Sequence, residues 1–191
     1  MPSSEVSAFH QLSPSAITQT RASYKEGAAQ LAHSEIKISA ERRAAMKTKL
    51  LHQENGLRAF AVVFEKNEDV REPLLAFARE QGISGAQVTA IGAFNEATLA
   101  FFDRQARQYK EIPVQEQVEV LSFAGNLGRQ EEKPVLHAHA VVSRADGTTL
   151  GGHFLRGKVW PTLEMIILET PQFLHRVHDE ETGLALIDLT A

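Results

Sequence analysis

Val135-Leu136-His137-Ala138-His139-Ala140-Val141-Val142, followed by Ser143-Arg144-Ala145-Asp146-Gly147 and then by Gly151-Gly152-His153-Phe154, spells out a β-hairpin. The chain has eight histidines, and three of them fall in this stretch. In a strand, residues i and i+2 point to the same face, so His137 and His139 share one. If Ala145-Asp146-Gly147 forms a three-residue loop with Gly147 left-handed, Arg144 pairs with Thr148. Counting outward, Val141 then faces Gly151 and His139 faces His153. Directly opposite Cβ atoms lie about 4.5–5.5 Å apart. A two-residue loop at Asp146-Gly147 would instead pair His139 with Phe154 and send His153 to the other face. A three-histidine cluster therefore depends on the turn, or on a bulge at Gly151-Gly152.

Three imidazoles on one face can hold a divalent metal and leave one coordination position open. Zinc is the first expectation, and iron, nickel or copper also suit imidazole. The competing reading is three half-buried histidines that only hydrogen-bond to neighbours. A cupin-type site fits poorly, because Ala140 to Asp146 contains no glutamate.

Working outward, residues 1–45 are rich in Ser, Ala, Gln and Thr and poor in large apolar residues. They read as a flexible or loosely docked extension, or as a start codon assigned too early. The domain proper is expected over residues 46–189. Leu50-Leu51 and Ala59–Phe64 read as strands joined at Glu54-Asn55-Gly56. Leu74, Leu75, Phe77 and Ala78 form a helical stripe over Val70–Gln81. Asp69 and Glu72 resemble a capping box, and Gly82 is the stop. Short strands follow at Gln87–Ile91, Thr98–Phe102, Arg107–Ile112, Val118–Phe123, Val135–Val142, Gly152–Leu155, Leu163–Leu168 and Ala185–Leu189. Gly125-Asn126-Leu127-Gly128 reads as a loop. One helix and many strands predict an α+β domain on a mostly antiparallel sheet.

Composition bounds the partners. The 191 residues carry a net charge of −4, are 43% hydrophobic and 23% charged, and include no cysteine. Disulfides, thiolate metal sites and cysteine nucleophiles are excluded. A cytoplasmic protein is expected, with no membrane segment, secretory signal or transit peptide. The charge disfavours nucleic acid as the main partner.

The ordered set Ile91-Gly92-Ala93, Asp103, Glu119-Val120-Leu121-Ser122, Gly125-Asn126, His137, His139, Asp146-Gly147, Gly151-Gly152-His153, Glu164, Arg176 and Thr182-Gly183-Leu184 resembles the plants-and-prokaryotes-conserved (PPC) domain. The resemblance runs from about Met46 to Leu189. It implies a compact α/β domain on a central, mostly antiparallel sheet flanked by helices, assembled as a homotrimer. In prokaryotic members the three histidines ligate a metal, a role that carries onto His137, His139 and His153. Plant members add a basic AT-hook that binds the DNA minor groove. No Arg-Gly-Arg-Pro string occurs here.

Other candidates compete with plainer readings. Glu119 is either a carboxylate orienting a histidine, or a general base, or a residue on the wet face of its strand. Glu164, if buried, needs a partner such as Arg156 or Arg176. Asn126 either bonds a ligand near the metal or serves a turn, the favoured reading. His175 and His178 read as surface residues, and Trp160-Pro161 as packing. Arg42, Arg43, Lys47 and Lys49 read as a solvated face. Gly125–Gly128 lacks the Lys-Ser/Thr of a phosphate loop, and Ser122 lacks a nucleophile-elbow frame. The functional expectation is a metal site that binds or processes a small anionic molecule. The alternative is a DNA-binding regulator with a structural or sensory metal, and a third reading is a trimer scaffold stapled by metal.

Overall fold

The computed structural model describes residues 46–190; the expected extension over residues 1–45 lies outside the described residues. Strand β1 (Lys47–Glu54) turns through Asn55 and Gly56, both at positive φ, into β2 (Leu57–Glu65). This is the hairpin expected from Glu54-Asn55-Gly56. Phe60, Val62 and Phe64 of β2 are buried, and the residues between them are only partly so. Helix α1 (Arg71–Gln81) buries Leu74, Phe77 and Ala78 and ends at a left-handed Gly82. The expected capping box does not form. Val70 occupies the cap position, and its apolar side chain has no group to bond the first helical amides; Asp69, one residue earlier, forms a backbone bridge to Lys158.

From Ala86 onward every regular element among the described residues is a strand. These are β3 (Ala86–Asp103), β4 (Gln108–Val114), β5 (Val118–Gln130), β6 (Lys133–Ser143), β7 (Thr149–Glu169), β8 (His175–His178) and β9 (Ala185–Asp188). All nine strands join one sheet. β3 pairs with β5, β5 with β6, β6 with the start of β7, and β7 again with β3, so four strands close a circuit. β2 extends the sheet from the second half of β7, β1 lies beyond it, and β4 pairs with the second half of β3. The contacts within the circuit and its branches are antiparallel; only β8 meets β5 in parallel, at Arg129 and His175.

The α+β expectation with flanking helices is corrected by this architecture. Strand accounts for 66% of the described residues and helix for 8%, in one helix, so the fold is β-rich. The physical reason is periodicity. Only the segment around Leu74 and Phe77 buries residues at helical spacing, and the strands bury every second residue. Strands read as separate pieces are also continuous. β3 spans 18 residues and β7 spans 21. Register shifts between Ala90 and Gly92, and again between Gly92 and Glu96, let β3 bend and serve different neighbours along its length.

The core lies inside this curved sheet and under α1. Phe94, Phe123 and Phe154 are almost fully buried, with Phe154 edge-on to Phe123 at 4.9 Å and stacked on Phe94 at 5.9 Å. Each such side chain contributes about 1.5–3 kcal/mol relative to exposure. Glu164 is not among them. It faces outward on β7, while Leu163 and Met165 turn in, so it needs no buried partner. Arg156 instead approaches Glu111 at 3.5 Å.

Candidate metal centre

β6 sends Leu136, Ala138, Ala140 and Val142 into the core, which leaves His137, His139 and Val141 on the opposite face. The turn that follows is the three-residue loop. The Arg144 amide donates to the Thr148 carbonyl at 2.9 Å, the Gly147 amide donates to the Arg144 carbonyl at 3.0 Å, and Gly147 has φ +82°. Asp146 braces the loop by accepting from the Thr148 amide at 2.9 Å and its hydroxyl at 2.7 Å. These bonds hold the Asp146 carboxyl below the ordinary aspartate range. The resulting register sets Val141 against Gly151 and His139 against His153.

The three imidazoles form a nearly equilateral group. Ring centroids lie 5.4 Å apart for His137 and His139, 5.2 Å for His137 and His153, and 5.4 Å for His139 and His153. One ring nitrogen from each lies within 4.8 Å of the other two, and the group contains no carboxylate. Burial, followed by the charge of neighbouring groups, lowers the His153 pKa to about 4; burial and Arg176 also lower that of His137. Both rings are therefore neutral at pH 7, the form that binds metal. His153 Nδ1 is buried and has no hydrogen-bond partner. A metal ion would relieve that cost, so the donor set fits one.

Other side chains surround the histidines. Asn126 is no turn residue. β5 runs straight through the expected Gly125–Gly128 loop, and Asn126 pairs with His137 across β6. The absence of a side chain at Gly125 makes this approach feasible. A Cβ there would stand 2.2 Å from the His137 carbonyl oxygen and 2.6 Å from Ala138 Cα. Asn126 Oδ1 accepts from Arg176 Nη2 at 2.7 Å, and the same Nη2 lies 3.3 Å from His137 Nδ1. Tyr109, on β4, stacks on His153 with centroids 4.5 Å apart.

Glu119 does not join the histidines. It lines a separate groove with Ile91, Gly92, Val120, Leu121, Thr162 and Glu164. It sits five residues along β5 from Ala124, the partner of His139, or roughly 16 Å at strand rise. His178 is exposed, and His175 packs edge-on to the Phe173 ring at 5.6 Å. Sequence reasoning missed Tyr109 and the neighbourhood of Arg176. Arg176 belongs to the ordered family-like set, but only the fold shows which side chains it meets.

The chain resembles known proteins in sequence and in fold. The sequence pattern of the Plants and Prokaryotes Conserved (PCC) domain matches residues 51–171. A metal-containing protein from Archaeoglobus fulgidus superposes with a TM-score of 0.64 at 27% identity, over 74% of this chain and 97% of that one. A Bacteroides thetaiotaomicron protein named as a candidate DNA-binding protein gives 0.70 at 26% identity, over 77% and 99%. A Pyrococcus horikoshii plant- and prokaryote-conserved protein shares the fold, with a TM-score of 0.65 at 24% identity over 74% and 94%. The bifunctional protein GlmU of a Synechococcus strain is 29% identical over 130 residues, 66% of this chain. The chain spans about a fifth of the length of that curated relative.

Proposed function

The chain belongs to the Plants and Prokaryotes Conserved domain family, and we propose that it is a metal-binding protein whose three-histidine pocket takes up a small anionic molecule. The observation that carries this reading is the triangle of His137, His139 and His153 on one face of a paired sheet. The metal-containing relative from Archaeoglobus supports it. Zinc is the expected ion, and iron or nickel would suit the same nitrogens. Held by three neutral imidazoles, such an ion supplies positive charge and Lewis acidity to a group in its remaining position. The chain's own part is to hold the His137 and His153 rings neutral and to orient all three. His137 and His139 are spaced by the strand pleat, and His153 is held by its register with His139 and its stacking on Tyr109.

The same reading includes a homotrimer. Ile91, Leu121, Ile166 and Leu168 are exposed on the outward face of β3, β5 and β7. A cluster of large apolar side chains on a sheet face favours association. No helix among the described residues is long and apolar enough to cross a membrane. A DNA-binding regulator is the second reading, favoured by the name of the Bacteroides relative. Net charge −4 and the missing AT-hook string count against it.

Purified protein loaded with zinc tests the proposal by elemental analysis and calorimetry. One ion per chain in the wild type, lost on His139→Ala, is expected. Equal metal content in both proteins overturns the reading. Salt-sensitive binding to duplex DNA in low-salt anisotropy, with no metal uptake, would favour the regulator instead.

A further inference from the structure

Two guanidinium groups border the histidines, and no carboxylate answers either of them among the described residues. Arg58, Arg129, Arg144 and Arg156 each meet a glutamate. Arg176 does not, although it is only 6% exposed. Its Nη1 donates to the Ala185 carbonyl at 2.7 Å, its Nη2 donates to Asn126 Oδ1, and its Nε is buried with no partner. Arg71 is similar. Its Nη2 lies 3.4 Å from the Leu136 carbonyl oxygen and its Nη1 is buried without a partner. Both charges act on His153. A buried guanidinium remains protonated, so its charge needs an anion.

A metal ion alone would make this worse. It would add positive charge beside Arg176 and Arg71, and it would compete with Arg176 for the His137 ring. An anion reverses the balance by answering the metal and the arginine together. We propose that the pocket takes up a metal ion and a small carboxylate as a pair, with Arg176 anchoring the carboxylate. The inference rests on the metal reading above and adds a ligand class and a residue to it. A carboxylate is favoured over phosphate by the available donors. Beside the histidines the β5 and β6 amides lie within their shared ladder, and the donor that reaches the His137 ring is the planar edge of the Arg176 guanidinium, through Nη2 at 3.3 Å. Such an edge matches the two oxygens of a carboxylate, whereas phosphate cradles use converging backbone N–H groups.

Binding of the two ligands is then reciprocal: each raises the other's affinity by the same factor. The test titrates the full chain with Co²⁺, read by its visible absorption, with and without acetate. In the wild type, acetate shifts the spectrum and tightens Co²⁺ binding about tenfold. In Arg176→Gln the acetate effect is lost, while Co²⁺ alone binds as tightly as before or more tightly, since a positive charge has gone. A structural role would show the reverse, weaker Co²⁺ binding with acetate still effective, and would overturn the proposal. So would a spectrum that responds to inorganic phosphate but not to acetate. Asn126→Asp provides a second arm should Arg176→Gln not fold. A carboxylate built in beside Arg176 should make Co²⁺ binding independent of acetate, and an undiminished acetate effect there also overturns the proposal. Absence of Co²⁺ binding in the wild type overturns the metal reading itself, and this inference with it; Co²⁺ binding without an Arg176-dependent acetate effect overturns only the inference.

Discussion

The Thr148 carbonyl accepts the Arg144 amide at 2.9 Å, and this bond at the mouth of the hairpin sets His153 opposite His139. A hairpin closed one residue shorter would turn His153 to the other face of β7. The candidate site is thus a consequence of turn length, and its integrity can be probed both at the ligands and at the backbone that aligns them.

Replacing a ligand should separate metal binding from folding. His137 is only partly buried on the face away from the core, so His137→Ala should change metal-free stability by no more than about 1 kcal/mol. Wild-type protein with zinc at about 100 times its Kd should gain about 2.7 kcal/mol, which is about 5–10 °C in Tm for a chain of this size. Differential scanning calorimetry with and without zinc checks both values. The variant should show no zinc-dependent rise.

Gly125→Ala attacks the same site through the backbone. The added Cβ would press on the His137 carbonyl and on Ala138, neither of which can move without breaking the β5–β6 ladder. Destabilisation of about 1–3 kcal/mol is expected, with weaker zinc binding. Gly147→Ala meets open space but a positive φ, and should cost about 1–2 kcal/mol. Urea denaturation of the two variants side by side distinguishes a clash from local strain.

Metal-free protein should lose stability in mild acid. His153 takes up its proton near pH 6.5 when unfolded but only near pH 4 when folded. Between these values the unfolded chain binds more protons. Stability is therefore level above about pH 6.5 and falls as pH drops toward about 4. His137, shifted the same way, adds to the effect. Allowing for the partial exposure of the His153 ring, its share is about 1–2 kcal/mol. Denaturation midpoints at pH 7 and pH 5 measure it, and His153→Gln should flatten the dependence.

Self-association should depend on the apolar outward face. Ile91 is 62% exposed and Leu121 54% exposed in the single chain. Light scattering coupled to size exclusion should give a trimer for the wild type and a monomer for Ile91→Glu with an unchanged circular dichroism spectrum. A trimer that survives Ile91→Glu together with Leu121→Glu would place any interface elsewhere.

What could be read from the sequence was what is local. The His137–His153 hairpin was legible because alternation and a Gly147 loop are settled within a few residues. The helix at Leu74 and Phe77 was legible for the same reason, although Val70 rather than Asp69 caps it. Gly125–Gly128 was misread because glycine marks both loops and close strand contacts, and only the approach of β6 tells which. The continuity of β3 and β7 depends on bulges that adapt them to several partners at once. Tyr109 reaches His153 from another strand, and Arg176 meets Asn126 from 50 residues away, so no spacing in the sequence announces either contact.

The closed circuit of β3, β5, β6 and β7 gives the pocket unequal walls. His139 and His153 lie where β6 and β7 are laddered on both edges, through Ala124 and Ala100, and His137 is held through Asn126 of β5, so the ligands stand on a stiff floor. β8, which carries Arg176, and its partner β9 are tied to the rest through the backbone by the Arg129–His175 bridge and the bonds at Leu174, and through side chains by Arg176 and Asn126. Amide exchange should accordingly be slow beneath the imidazoles and faster along the flank that brings the guanidinium. Coordination geometry is held by the floor, and a ligand that grips Arg176 would tie the looser flank down to it.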